Sequence, residues 1–441
     1  MKKLISFLLV ISLIQTSKSF QIDGELSKIS EALEKIGVDC GTVQDRDNGK
    51  YRCIEKDSKT GVLRLKGEYK DYDQFLSAYM IVQSIVGVNR VSPVFDTFDT
   101  NIRIRNIERC FIALFSDNTE DKEKCKIYEF NTLQKVGSNK SSKYALIVAV
   151  GKFKYIPGAS LGDAPLNDAE LVRDTLQKRG YEVNILTNEK ATKDNVLRTL
   201  DEIIAKIPKD GGILYFYAST HGAPKDPKGE TGIVLYDTSL EKSSSCNTID
   251  DTLSKNNDKI DKNFRDILVT AKKMCNMLSN SITLNEDIIP RLIASNKKIK
   301  FISNLDVCYS GIALKKAIEN IKSDDVYTPD KNVATYLTSI YPNPMIYLSS
   351  ASGEQLSMQT EFNGKQYGVF SYYFYKNLPK NSYNIDRNYN NTLKIIKETS
   401  GESCRKIKES RSGTGVKCSE EGQSPLLFKN SLIKKEEDSN L

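Results

Sequence analysis

A single histidine serves this chain of 441 residues: His221, at the end of Tyr215-Phe216-Tyr217-Ala218-Ser219-Thr220-His221-Gly222. Imidazole is the side chain best suited to move protons near neutral pH, so any imidazole-dependent chemistry here uses His221. Poly-histidine zinc centres and two-histidine relays are excluded by the count. The plainer alternative is a turn histidine with no task. Downstream, Ile299-Lys300-Phe301-Ile302-Ser303-Asn304-Leu305-Asp306-Val307-Cys308-Tyr309-Ser310-Gly311 repeats the design, an apolar run entering a turn of small residues. A cysteine thiolate is a nucleophile, and a neighbouring imidazole can take its proton. Eight of the nine cysteines fall into local couples, Cys40/Cys53, Cys110/Cys125, Cys246/Cys275 and Cys404/Cys418, leaving Cys308 over. Spacing does not fix connectivity, but an odd cysteine in a secreted protein is a candidate reactive thiol. The alternative for Cys308 is a buried structural thiol or half of a disulfide.

For thiol and imidazole to meet, strands must carry both to one edge. From Tyr144 the pattern supports this. Ala145 to Gly151 is an apolar, buried-strand run. Asn167-Asp168 starts a helix with Ala169, Leu171, Val172 and Leu176 that closes at Gly180. Strands follow at Tyr181 to Leu186 and Ile213 to Ala218, separated by a helix from Thr192 to Ile207. A fourth strand leads to Cys308, and a fifth, Met345 to Ser350, precedes a helix from Val369 to Asn377. Strands alternating with helices predict an α/β fold, a mostly parallel sheet covered on both faces. Ligands of such sheets sit beyond the carboxyl ends of strands, where strands ending near 218 and 308 place His221 and Cys308 side by side.

The start of the chain reads as a secretory signal over 1–19: basic Met1-Lys2-Lys3, an apolar run from Leu4 to Ile14, then Gln15-Thr16-Ser17-Lys18-Ser19. The run is shorter than the roughly 20 residues of a membrane span. A secreted or periplasmic protein is expected, with the cysteine couples as disulfides. The net charge of +7 is spread through interleaved Lys, Asp and Glu. No arginine-rich block or aromatic-basic stripe exists, so no nucleic-acid partner is expected. Residues 22–100 read as a small α/β domain. Leu26, Ile29, Leu33 and Ile36 have helical spacing, Gly61 to Gly67 alternates like a strand, and a helix from Asp71 ends at Gly87. A further strand is expected through Val88, Val91 and Val94. A connector over 101–140 holds Cys110/Cys125, and the charged tail covers 429–441.

Two resemblances carry further. Val62-Leu63-Arg64-Leu65-Lys66-Gly67-Glu68 with Ile85-Val86-Gly87-Val88-Asn89-Arg90-Val91 resembles a BON domain, which implies membrane or envelope association for the first domain. Tyr144-Ala145-Leu146-Ile147-Val148-Ala149-Val150-Gly151, Leu166-Asn167-Asp168-Ala169, Ser219-Thr220-His221-Gly222 and Asp306-Val307-Cys308-Tyr309-Ser310-Gly311 occur in the order seen in caspase-like cysteine peptidases, closest in motif to bacterial caspase homologues and metacaspases. Ser350-Ala351 with Gly368-Val369-Phe370-Ser371 resembles their carboxy-terminal subdomain. Gly422-Gln423-Ser424-Pro425 is a weaker match to a stretch before their last strand. The resemblance implies a three-layer caspase-haemoglobinase-like sandwich over 141–428. It also implies Cys308 as nucleophile, His221 as general base and acid, and an oxyanion hole from the N–H groups of Gly222 and Cys308. Asp306, two residues before the nucleophile, and Asp168 match the carboxylates of the metacaspase S1 pocket. They imply cleavage after Arg or Lys, where true caspases prefer Asp.

Two departures stand out. Positions 221 and 308 lie 87 apart, against about 50 in caspases. The excess, an insertion over 240–280, is expected to form a disulfide-tied lobe near the site mouth. Metacaspases often need calcium; Asp250-Asp251 and Glu286-Asp287 are its candidates here, and no other cofactor is expected. The functional expectation is an exported cysteine endopeptidase acting on protein or peptide substrates. The competing expectation is a non-catalytic envelope-binding scaffold on the same fold.

Overall fold

The computed structural model describes residues 24–42, 51–87, 90–94, 102–104, 142–156, 158–241, 243–255, 260–308, 331–351, 357–410 and 418–441. The expected signal segment, the Cys110/Cys125 couple and the Tyr309-Ser310-Gly311 turn lie outside them. Contacts divide the chain into two compact units: Met1–Ile112 with Ser245–Lys272, and Ala113–Ser244 with Lys273–Leu441. No helix among the described residues is long and apolar enough to cross a membrane.

The first unit holds helix α1 over 24–35, short strands β1 (Ile54–Lys56), β2 (Leu63–Leu65) and β3 (Gly67–Tyr69), helix α2 (Tyr72–Val86) and β4 (Ile102–Ile104). Asp71 caps α2 by accepting from Gln74 N at 2.9 Å, satisfying one of the amides a helix start leaves over. Gly87 ends α2 at φ 93°, a geometry glycine adopts without strain. The strand expected over 61–67 is broken: β2 pairs antiparallel with β1, whereas β3 pairs parallel with β4. Gly67, at φ 93°, opens β3 just past the break. The strand expected through Val91 reduces, among the described residues, to one bridge to Leu63. A disulfide joins Cys40 and Cys53.

Most of the insertion belongs to this unit. Its helix Asn247–Lys255 begins on the carboxylate of Asp73, which accepts from Asn247 N at 2.9 Å and from Thr248 N and Oγ1 at 2.8 and 2.9 Å. A negative charge at a helix start is favoured by the exposed N–H groups and the helix dipole. Cys246 and Cys275 are both disulfide-bonded.

In the second unit the sequence pattern and the elements agree closely. Strand β5 (Lys143–Ala149) is followed by helix α3 (Ala164–Gln177), β6 (Glu182–Thr187), α4 (Lys193–Lys206) and the long β7 (Gly212–Lys225). After β8 (Thr231–Ile233) come β9 (Ile299–Cys308), α5 (Lys331–Ile340) and β10 (Met345–Ser349). A hairpin of β11 (Gln359–Phe362) and β12 (Lys365–Gly368) leads into α6 (Val369–Asn377). Helix α7 (Ile385–Ser410) and β13 (Leu426–Lys429) complete the unit. The main sheet runs β13-β10-β9-β7-β5-β6; only β13 is antiparallel along this path, and β8 pairs with β7 off it.

The connections leave β5 first toward β6 and then back past it to β7, so right-handed crossovers put α3 and α4 on opposite faces. On one face Ala145, Ile147 and Ala149 pack with Ala169, Val172 and Leu176 of α3 and with Val369, Phe370 and Phe374 of α6. Each such buried Leu, Val or Phe contributes about 1.5–3 kcal/mol. The intervening Leu146 and Val148 are equally buried, as are Val196, Leu200 and Ile203 of α4. A disulfide joins Cys404 and Cys418.

Two boundaries differ from expectation. α3 begins at Ala164, with Pro165 in its first turn, so Asp168 lies inside the helix. Proline is tolerated there because a helix start has no partner for that N–H anyway. Strand β7 does not stop at Ala218; it continues through His221 to Lys225, because β9 pairs with it as far as His221 and β8 takes over beyond.

Candidate active site

The parallel ladder between β7 and β9 sets Ser219 opposite Asp306, Thr220 opposite Val307 and His221 opposite Cys308. Neighbouring strands stand about 4.8 Å apart, so the lone histidine and the odd cysteine occupy adjacent backbone positions at the carboxyl end of the sheet. His221 is buried, with Phe153 at 5.2 Å between ring centroids. Its Nε2 lies 2.8 Å from the main-chain oxygen of Ala159. A carbonyl can only accept, so this contact assigns the proton to Nε2 and leaves Nδ1 as the basic nitrogen.

Ala159 sits in the loop after β5, and that loop is clamped on both sides. Gly151 O accepts from Ser160 Oγ at 3.0 Å and from Leu161 N at 2.9 Å. Gly151 itself tolerates no side chain, since a Cβ would collide with Gly162 O. Sequence reading missed Ala159 because a main-chain carbonyl is the same in every residue.

Beyond His221, Val234 N donates to His221 O at 3.0 Å and Gly222 pairs with Ile233. In an antiparallel pair of this kind the flanking bond leaves the paired residue's own N–H turned the other way, so Gly222 N–H faces away from β8.

Below this edge lie the two aspartates. Asp168 and Asp306 are both buried. A Cβ on Gly368 would overlap Asp306 Oδ2 and stand 3.0 Å from Asp168 Oδ2, which places both carboxyls around one point. Gly368 N donates to Asp168 Oδ1 and Oδ2 at 3.0 and 3.2 Å, and Ser219 Oγ donates to Oδ2 at 3.1 Å. Ser371 Oγ donates to Asp306 Oδ2 at 2.6 Å, and Ser357 Oγ donates to Oδ1. Burial pushes Asp168 well above the usual carboxylate range, and the nearby charge of Asp306 adds to it. Asp306 is also raised, by burial, with Ser357 and Ser371 working in the opposite direction.

The sequence flagged the two acids but not their supports. Ser371 is in the first turn of α6, and Gly368 joins β12 to it. Ser357 precedes the β11–β12 hairpin in a segment held by buried Gln423, which accepts from Met358 N at 2.7 Å and donates to Ser350 O at 2.9 Å. That gives the weakly matching Gly422-Gln423-Ser424-Pro425 stretch a bracing task. Gly422 adopts φ 85°, where a side chain would also strike Lys397 O.

A family model described as the caspase domain matches residues 142–435. The chain belongs to the caspase-domain family. Solved structures similar to it include caspase-1 from Spodoptera frugiperda, at 12% identity and TM-score 0.35, covering 66% of this chain and 88% of that one. A protein from Geobacter sulfurreducens matches at 16% identity and TM-score 0.34, covering 68% of this chain and 99% of that one. No curated protein matches. The caspase domain carries cysteine-peptidase chemistry in general; here its sheet carries His221, Asp306 and Cys308 on adjacent strands, and helix α3 brings Asp168 to Asp306.

Three of the four calcium candidates stand in salt bridges, and the fourth, Glu286, lies close enough to buried Asp226 and Glu230 to raise both. Asp250 pairs with Lys272 at 2.5 Å, Asp251 with Lys255 at 3.0 Å, and Asp287 with Lys193 at 3.5 Å while also accepting from Thr283 N at 2.9 Å. Among the described residues no three His, Cys, Asp or Glu side chains form a metal-ligand group. Asp250, Asp251 and Asp287 are each held by a lysine.

Proposed function

We propose that this protein is an exported cysteine endopeptidase that cleaves after Arg or Lys, with Cys308 as nucleophile and His221 as its base and acid. The observation that carries the reading is the pairing of His221 with Cys308 on adjacent strands at the carboxyl end of the sheet. Nδ1 of His221 takes the thiol proton, and the thiolate attacks the substrate carbonyl. The amine leaves with that proton, forming a thioester that water, deprotonated by the same nitrogen, then hydrolyses. The N–H groups of Gly222 and Cys308 receive the oxyanion; one such donor is worth on the order of 10²–10³ in rate. The Ala159 carbonyl orients the imidazole and stabilises its charged form.

Selectivity for a basic residue rests on Asp168 and Asp306, two buried acids with no cation bonded to them among the described residues. Burying charge is costly until an opposite charge arrives, so the pocket favours guanidinium or ammonium and rejects Asp. Export is supported by the disulfide-bonded cysteines, which suit an oxidising compartment.

The test is turnover of peptides carrying Arg, Lys or Asp before the scissile bond by the mature chain and by Cys308→Ala. Cleavage after Arg or Lys that vanishes in Cys308→Ala is expected. Activity surviving that change removes Cys308 as nucleophile, and preference for Asp removes the pocket assignment.

A further inference from the structure

The lining of the carboxyl pocket has a property that electrostatic selectivity alone does not require. Among the described residues, the groups turned to Asp168 and Asp306 are mostly hydroxyls, those of Ser219, Ser357, Ser371 and Ser350, with two amides, Gly368 N–H and Ser371 N–H. An amide can only donate. A hydroxyl donates to a carboxylate or, by turning its hydrogen, accepts from a carboxyl O–H. The hydroxyl chain extends further, because Tyr217 Oη lies 2.7 Å from Ser371 Oγ and either can donate. The pocket can therefore satisfy its acids in either protonation state without moving a heavy atom.

The groups that face this point come from four directions. α3 contributes Asp168, β9 contributes Asp306, and β7 contributes Tyr217 and Ser219. The β11–β12 segment contributes Ser357 and Gly368, and the first turn of α6 contributes Ser371. Tyr217 is held neutral: burial, then the charges of Asp168 and Asp306, push its hydroxyl well above its ordinary range. His221 lies two residues beyond Ser219 and is engaged by Ala159 O. Two ionised carboxylates buried around one point, with no cation bonded to them among the described residues, would repel and forgo their hydration. They titrate as a pair, and both are raised.

We propose that the empty pocket keeps its aspartates protonated and admits a cationic side chain in exchange for a proton. The charge that enters replaces the charge that leaves, so the pocket never holds a bare pair of anions. The ligand class is a monocation on a flexible stem, guanidinium or ammonium. Recognition strengthens as pH rises, because exchange competes with protons for the same oxygens. This rests on the basic-residue reading above and adds a proton linkage to it.

Cys308→Ala full-length protein, titrated with a peptide bearing Arg before the scissile bond and with its neutral citrulline isostere, tests the exchange. Calorimetry in two buffers of different ionisation heat counts protons released. Expected is release approaching one proton per Arg peptide and a Kd that tightens as pH rises above the ordinary carboxylate range, by up to about tenfold per pH unit. Citrulline peptide should release none, and Asp306→Asn in the same background should flatten the slope. Arg binding with no release and a flat Kd overturns the exchange while leaving basic-residue selectivity standing. No preference for Arg over citrulline at any pH overturns that selectivity and the exchange with it.

Discussion

Two buried acidic pairs in the second unit invite comparison. Asp168 and Asp306 come from positions 138 apart in the chain and from different elements. Asp226 and Glu230 lie four residues apart in the turn between β7 and β8, and both are buried. Burial, then Glu286, pushes Asp226 up to about 8; burial, then Asp226, holds Glu230 well above the usual range. The difference is in the donors. Glu230 accepts from Leu284 N at 2.5 Å and Asn285 N at 2.9 Å, and Asp226 Oδ1 accepts from Glu230 N at 2.8 Å. These are backbone amides, which suit only an accepting oxygen. The pair thereby ties its own turn and caps the turn Leu284–Ile288. Around Asp168 and Asp306 most donors are hydroxyls on separate elements, able to reverse. The same chemistry, a pair of buried carboxyls, serves shape in one place and offers reversible partners in the other.

The sharpest way to break this contrast is Gly368→Ala. The backbone there, φ −63° and ψ 130°, is open to any residue, so the added Cβ acts by colliding with Asp306 Oδ2 and crowding Asp168 Oδ2, forcing the carboxyls to shift. Turnover of Arg peptides should fall by about 10²-fold or more, with far-UV circular dichroism unchanged. Asp168→Asn and Asp306→Asn should each lower kcat/KM for Arg peptides by roughly 10–10³-fold, whereas Glu230→Gln should leave the Arg-to-Asp preference as it is. Glu230→Gln should instead lower unfolding free energy by about 1–3 kcal/mol in urea titrations, because the NH2 of a Gln amide cannot accept and leaves Leu284 N or Asn285 N without its acceptor.

The pH dependence of stability sharpens the comparison further. A carboxyl raised in the folded state binds its proton more tightly there than when unfolded. Its stabilisation is full below the unfolded value of about 4 and is lost as pH climbs through the folded value, about 8 for Asp226. Peptide-free protein should lose thermal stability across that window, and Asp226→Asn should make the slope shallower. An Arg peptide should restore stability at the upper end in wild type and less so in Asp306→Asn. The smallest change is expected for Ser219→Ala, a few-fold loss in kcat/KM for Arg peptides, readable only beside the larger variants.

Much of the second unit was legible because its elements are long and regular. Apolar runs marked β5, β6, β9 and β10, and α6 falls on the expected residues. Thr192 caps α4 by accepting from Asn195 N at 3.3 Å, as a Thr-Lys-Asp start suggests. The misses share a cause. Ser219-Thr220-His221-Gly222 reads locally as a polar turn, yet pairing with β9 and then β8 keeps it extended; tertiary partners overrode propensity. In the first unit, strands of three residues left too short a pattern to show where one ended and the next began.

The sequence by itself determined which residues are eligible: the count gives one histidine, and the spacing of the nine cysteines nominates Cys308 as its thiol. Tertiary structure alone decided the register that sets His221 beside Cys308, the Ala159 oxygen that selects the histidine tautomer, and the meeting of Asp168 with Asp306 at Gly368. Residue type fixes what a side chain can do. Strand pairing and chain crossing fix what it stands next to, and neither leaves a mark at the position concerned.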